Sequence, residues 1–236
     1  MTVHAITTDL TRAGRALAAA GLVNAFGHVS ARLADSGTLL ITPPQPLGRL
    51  QNDDAFHRLS LAGATLPTGV PKEGWIHRAV AIARPDVGGI CRAQPFFANA
   101  AAVAGVEIRP LHGQGALLGG TVPVFDQPRL VRDPETASAL AVALGPAHSL
   151  VMRGNGALTV GRTVGEAVAR MWVLEEAARL ALTAAAAGEA ASLTPAEQSA
   201  WEESSTELLG RIWEYLAFEL AHCPPYVAIS PKEHTQ

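Results

Sequence analysis

The stretch "SLVMRGNGALTVG", residues 149–161, constrains the fold more than any other. Two short apolar runs are separated by a few glycine-rich residues. A chain reversed so tightly lays the runs side by side and antiparallel, because parallel neighbours need a crossover of a dozen or more residues. The stretch leads directly into Thr163, with Glu166 three residues on, a capping-box signature that predicts a long helix over 163–188. Thr194 and Glu197 repeat the signature and predict a last helix over 194–222. Upstream, "HVSARL" alternates as a strand, and "TLLIT" is predicted to pair with it across Asp35-Ser36-Gly37. Strands are also predicted after "DDAF", with a hairpin at Gly63, and in "PDVGGIC" and "VPVF". Helical spacing marks 7–20, 73–84, 96–105 and 135–144. The expected architecture is one α/β domain over residues 1–236, with a mainly antiparallel sheet and helices on both faces.

Composition narrows the function. The 236-residue chain is 48% hydrophobic and 17% charged, enough apolar side chain for a full core. A net charge of −3 without a basic run argues against a nucleic-acid or anionic-membrane surface. No run approaches the ~20 apolar residues of a membrane span, and no signal pattern opens the chain, so the expectation is a cytoplasmic protein. Cys91 and Cys223 stand far apart with no CxxC partner and read as reduced and buried.

In "GGICRAQPFFANA", residues 88–100, Arg92 and Gln94 flank Ala93 at the end of a buried strand and so point to the same side. A guanidinium and a carboxamide aimed together from a strand end point to chemistry. Upstream lie Glu73 and, four residues on, His77, which reads as a packing residue.

Taken in order, "GHVSARL" (27–33), "LITP" (40–43), Glu73 with His77, "ARPDVGGI" (83–90), "RPLHGQGALLGGTVPVFD" (109–126) and "VMRGNGALTVGRTVGEAV" (151–168) resemble the class II aldolase/adducin superfamily. The look is nearest to its branch of hydroxypyridine-dicarboxylate decarboxylase-like and NovR/CloR-like proteins. The resemblance spans about residues 7–220. It implies a three-layer α/β/α fold, a homotetramer with active sites at subunit boundaries, and a divalent metal, usually zinc, held by three histidines beside an acid/base glutamate. Carried over position by position, the glutamate is Glu73. The three ligand positions hold Arg92, Gln94 and Asn155.

Arginine does not ligate a metal, and the two carboxamides are weak donors. The expectation is therefore a carbon–carbon lyase working without the usual metal, by aldol cleavage or decarboxylation of a small carboxylate or carbonyl substrate. Arg92 takes over anion stabilisation through a forked pair of charge-assisted hydrogen bonds. Glu73 transfers the proton, with burial expected to raise its pKa. His28, Ser30, Arg32, Gln94, His112 and Asn155 are the candidate substrate-binding residues. Two alternatives stay open: a catalytically inactive binding or scaffold protein, and a relocated metal site built from His28, Glu73 and His112. An iron oxygenase would need the ligands that are missing.

Overall fold

The structure is a computed structural model and describes residues 2–34 and 37–219. The predicted turn residues Asp35 and Ser36, Cys223 and the end of the predicted last helix lie outside those residues. In chain order the elements are α1 (Val3–Ala19), β1 (His28–Arg32), β2 (Thr38–Ile41), β3 (His57–Ser60), α2 (Gly74–Ala83), β4 (Gly89–Ala93), α3 (Phe96–Ala104), α4 (Gly113–Ala116), β5 (Val124–Phe125), α5 (Pro134–Leu144), β6 (Ser149–Met152), β7 (Gly156–Gly161), α6 (Val164–Ala187), α7 (Pro195–Glu203) and α8 (Ser205–Glu214). The strands form one sheet in the order β3-β2-β1-β4-β7-β6-β5. Every pairing is antiparallel except β5 with β6.

Strand alternation sorts the core into two layers. On one face Val29, Cys91, Val151 and Ala157 pack beneath α1, α3 and α6. On the other Leu39, Ile90, Leu150, Leu158 and Val160 pack beneath α2 and α5, which contribute Ile76, Val80, Leu140 and Leu144. The result is the expected α/β/α layering. Among the described residues no helix is long and apolar enough to cross a membrane.

The β6–β7 hairpin forms as the sequence predicts, with Met152 opposite Gly156. Three details differ. The turn at Gly63 leads to no return strand; its carbonyls at Gly63 and Thr65 accept hydrogen bonds from Arg78 of α2 instead. At the start of α6, Thr163 Oγ1 accepts from Glu166 N, but the Glu166 carboxylate turns back to Arg162 N rather than to the cap residue. The last predicted helix breaks at Ser204, because α7 lies against α4 while α8 turns onto α6 and buries Leu209 beside Leu117 and Ala169.

Candidate active site

The register of the sheet brings the site together. His28 opens β1 directly opposite Arg92 near the end of β4, and Ser30 lies opposite Ile90. All three side chains, those of His28, Arg92 and Ser30, therefore face α2. Glu73 is the residue before the first turn of α2, and His77 lies one turn further along the same helix face. Asn155 arrives from the turn between β6 and β7, held between Gly154 (φ 75°) and Gly156 (φ 111°).

Four groups surround the Glu73 carboxylate. Oε1 accepts from Asn155 Nδ2 at 3.1 Å and from the Val131 backbone N–H at 3.2 Å. Oε2 lies 3.1 Å from Arg92 Nη2 and 3.6 Å from His28 Nε2. Arg92 Nη2 also donates to Asn155 Oδ1 at 2.8 Å and to the Asn155 carbonyl at 2.9 Å. Arg92 is only 2% exposed, and its Nε has no partner. Behind this ring, His28 Nδ1 lies 2.6 Å from His77 Nε2, and His77 Nδ1 lies 2.7 Å from Ser30 Oγ.

Burial alone would raise the Glu73 pKa, which was the expectation from sequence. The contacts with His28, Arg92 and Asn155 outweigh it and bring the carboxyl down to about 2. Glu73 is thus an anion in this arrangement, not a poised acid. Burial lowers His28 and outweighs the contact with the Glu73 carboxylate, which raises it, with the Arg92 charge on the side of burial; burial, His28 and Arg92 push His77 well below its ordinary value. Both imidazoles are neutral.

A cleft of about 540 Å³ opens over this cluster, walled by Phe26, His28, Gln45, Pro71, Lys72, Glu73, Arg92, Gln94, Leu130, Arg132 and Asn155. Three of these residues are cationic and one anionic, so the cleft favours a dianion.

The model of the class II aldolase and adducin N-terminal domain family matches residues 8–182. The chain belongs to that family. A 3,4-dihydroxyphthalate decarboxylase from Terrabacter sp. (strain DBF63) is 37% identical over 204 residues, covering 79% of this chain and 84% of that protein. One from Rhodococcus jostii (strain RHA1) is 29% identical over 213 residues, covering 82% and 85%. Among solved structures, L-fuculose-1-phosphate aldolase from Thermus thermophilus matches with a TM-score of 0.70 and 28% identity, over 81% of this chain and 100% of that one. The L-fuculose 1-phosphate aldolase from Glaciozyma antarctica PI12, at 22% identity, shares the fold with a TM-score of 0.74 over 90% of both chains. The protein is a carbon–carbon lyase.

Members of this class II aldolase family normally use a divalent metal. The donors present here do not fit one at the family's position. Arg92 offers a cation without a free lone pair, and its Nη2 holds Glu73 and Asn155. The Asn155 carboxamide oxygen faces that guanidinium rather than a common centre. Among the described residues no group of three or more His, Cys, Asp and Glu side chains converges on one point.

Of the sequence candidates, Glu73, Arg92, His28, Gln94 and Asn155 meet at the cleft. Three others do not line it. Ser30 is fully buried one layer below, bonded to His77. Arg32 donates to the carbonyls of Ala81, Arg84 and Val87, closing the C-terminal end of α2. His112 precedes α4, which packs against α6 and α7 on the other face of the sheet. That placement also dismantles the relocated metal site of His28, Glu73 and His112. Reasoning from sequence read His77 as a packing residue, which its full burial agrees with, but did not see its bonds to His28 and Ser30, and it passed over Lys72 and Arg132. The bonds of His77 were legible in principle: residues 28 and 30 on a strand match residues 73 and 77 on a helix in rise. Lys72 and Arg132 carried no signal until the loops folded over the site.

Proposed function

We propose that the enzyme decarboxylates a hydroxyaryl dicarboxylate of the 3,4-dihydroxyphthalate type, and does so without a divalent metal. The observation that carries the reading is Arg92, a buried guanidinium with an unpartnered Nε on the wall of an open, net-positive cleft. The similarity to decarboxylases named for that substrate supports it.

The substrate class supplies its own electron source. In 3,4-dihydroxyphthalate each carboxylate is ortho or para to a ring hydroxyl. A substrate carboxylate competes with Glu73 for Arg92, whose loss removes one of the causes that hold Glu73 down. Glu73 then takes the proton of the ring hydroxyl. The resulting phenolate pushes electrons into the ring, and the carbon bearing the departing carboxylate takes that proton from Glu73. The carbon–carbon bond breaks, its electron pair restores aromaticity, and CO2 leaves. The product oxygen regains a proton from solvent, so one proton is consumed per turnover. Lys72 and Arg132 hold the second carboxylate at the rim. Aldol cleavage has no comparable support, because the cleft offers no metal cradle for an enediolate.

Incubation with 3,4-dihydroxyphthalate after exhaustive chelation tests both halves. Stoichiometric CO2 release is expected. No release from this or any other hydroxyaryl carboxylate refutes the reaction, and release that chelation abolishes and one divalent metal restores refutes metal independence. We extend the proposal to a cytoplasmic homotetramer, supported by the family resemblance and by the large exposed side chain of Phe26 on the cleft wall. Light scattering that reports a single 24.6 kDa chain would refute the assembly.

A further inference from the structure

We infer that His77 and Ser30 are positioning residues that hold His28 in one neutral tautomer, with Nε2–H facing the reacting centre and Nδ1 closed to protons. The kinetic consequence rests on the decarboxylase reading above; the tautomer itself does not.

Two conditions together assign every proton in the chain of bonds: the charge on Glu73 and the burial that keeps both rings neutral. Glu73 is an anion and only accepts. His28 Nε2 stands 3.6 Å from its Oε2, so a lone pair at that nitrogen would face a negative charge. Nε2 therefore carries the hydrogen. In a neutral ring Nδ1 is then the acceptor, and the atom 2.6 Å away, His77 Nε2, is the donor. His77 Nδ1 is left as an acceptor and takes the Ser30 hydroxyl proton over 2.7 Å. The opposite sense runs Ser30 as acceptor, His77 Nδ1–H and His28 Nδ1–H as donors, and ends with the lone pair against Glu73. Electrostatics at one end decides the direction of the whole chain.

The backbone makes the arrangement rigid. His28 and Ser30 are two residues apart on one strand face, a rise of about 6.6 Å. Glu73 and His77 are four residues apart on one helix face, a rise of about 6 Å. The two repeats match, so helix and strand interlock as a two-by-two array. His28 is 5% exposed and His77 and Ser30 are fully buried, so no solvent competes for these bonds.

The array makes His28 a fixed donor and never a base. With Nδ1 occupied, the ring has no site for a proton taken from substrate. Its Nε2–H is available to an oxygen that gains charge in the cleft, while Arg92 moves from Glu73 to a substrate carboxylate. If His77 no longer donates, Nδ1 opens, and His28 exchanges between tautomers and orientations.

Long-range proton–nitrogen correlation of the imidazoles in the parent protein tests the assignment directly. His28 is expected with Nε2 protonated and Nδ1 bare, without titrating near neutral pH. A parent His28 that carries its hydrogen on Nδ1, or that is cationic at neutral pH, overturns the inference whether or not the protein decarboxylates anything. His77→Phe should give averaged His28 signals and lower kcat about tenfold, with KM within about threefold. His77→Gln keeps an N–H donor and should restore both the single tautomer and most of kcat. Ser30→Ala should produce a partial version of the His77→Phe spectrum. Retention of the parent spectrum and kcat in His77→Phe would overturn the positioning role. If His77→Phe does not fold, the parent spectrum with His77→Gln decides.

Discussion

The two ends of the sheet put similar side chains to different uses. At the cleft, Arg92 meets Glu73, and Nε of the guanidinium has no partner. At the far end Arg162 and Arg170 converge on Glu166. Arg162 donates to Glu166 Oε1 from Nε at 3.1 Å and from Nη2 at 2.9 Å, and Arg170 donates from Nη1 to the Val160 carbonyl and from Nε to the Leu117 carbonyl. Both carboxylates have depressed pKa values despite their burial. The difference lies in completeness. The far cluster uses its donors on the protein, as a brace does, whereas the near cluster lies under an open cleft and leaves one buried donor unpaired. Burial and charge pairing alone do not separate a site from a brace.

The sharpest way to break this contrast is to remove one arginine from each end. Arg92→Ala should lower kcat/KM for decarboxylation by about 1,000-fold, in the range of losing an oxyanion donor. Arg92→Lys should recover little, since a point charge does not replace the fork. Arg170→Ala should leave turnover per folded molecule within about threefold. Loss of activity in Arg170→Ala that matches Arg92→Ala, measured on folded protein, would erase the distinction.

A second test converts the near cluster. Arg92→His, Gln94→His and Asn155→His together remove the guanidinium and supply three imidazoles around Glu73. The triple variant should bind zinc and gain about 4 kcal/mol of stability at a thousandfold excess over Kd, seen as a zinc-dependent rise in Tm absent from the parent. A folded triple variant that ignores zinc would mean that these positions do not surround one point.

Acid should find the near cluster next. Glu73 falls from an ordinary 4.5 to about 2 on folding, so its contribution is fully present above 4.5 and is lost as pH drops through 2. That loss is about 3 kcal/mol. His28 and His77 are held neutral, so the unfolded chain takes up their protons first and stability should begin to decline below about 6.5. Denaturant melts of Glu73→Gln should lack the steep acid limb; an unchanged limb would show that Glu73 is not the anion described. The smallest expected effect is on the brace. Arg170→Ala removes two hydrogen bonds to buried carbonyls and should cost about 2 kcal/mol in urea melts, and no measurable cost would mean that the far cluster braces nothing.

Much of this was legible in the sequence. The β6–β7 hairpin, the start of α6 and the pairing of β1 with β2 all follow from local chemistry that acts within a few residues. Glu73, Arg92 and Asn155 could be placed because motif order carried their positions. What stayed hidden depends on non-local geometry. The Glu73 pKa moved down rather than up because His28 from β1 and Arg92 from β4 meet at its carboxylate, with the Asn155 amide from the β6–β7 turn adding to them. His112 looked like a pocket residue because glycines surround it, yet α4 carries it to the opposite layer. Ser30 and Arg32 alternate correctly with His28, and only the position of α2 shows that one supports His77 and the other ends the helix.

The turn that presents Asn155 has a wider consequence. Gly154 and Gly156, both with positive φ, take on the conformational demand of the bend, and a side chain at Gly156 would meet the Ala93 carbonyl at 2.3 Å. Residue 155 is thereby freed from shaping its own backbone. It has the form of a socket, and an exchange of its occupant, carboxamide for imidazole, should leave the strands on either side where they are. In a lineage of lyases, such a socket lets the chemistry of the centre drift while the scaffold stands still.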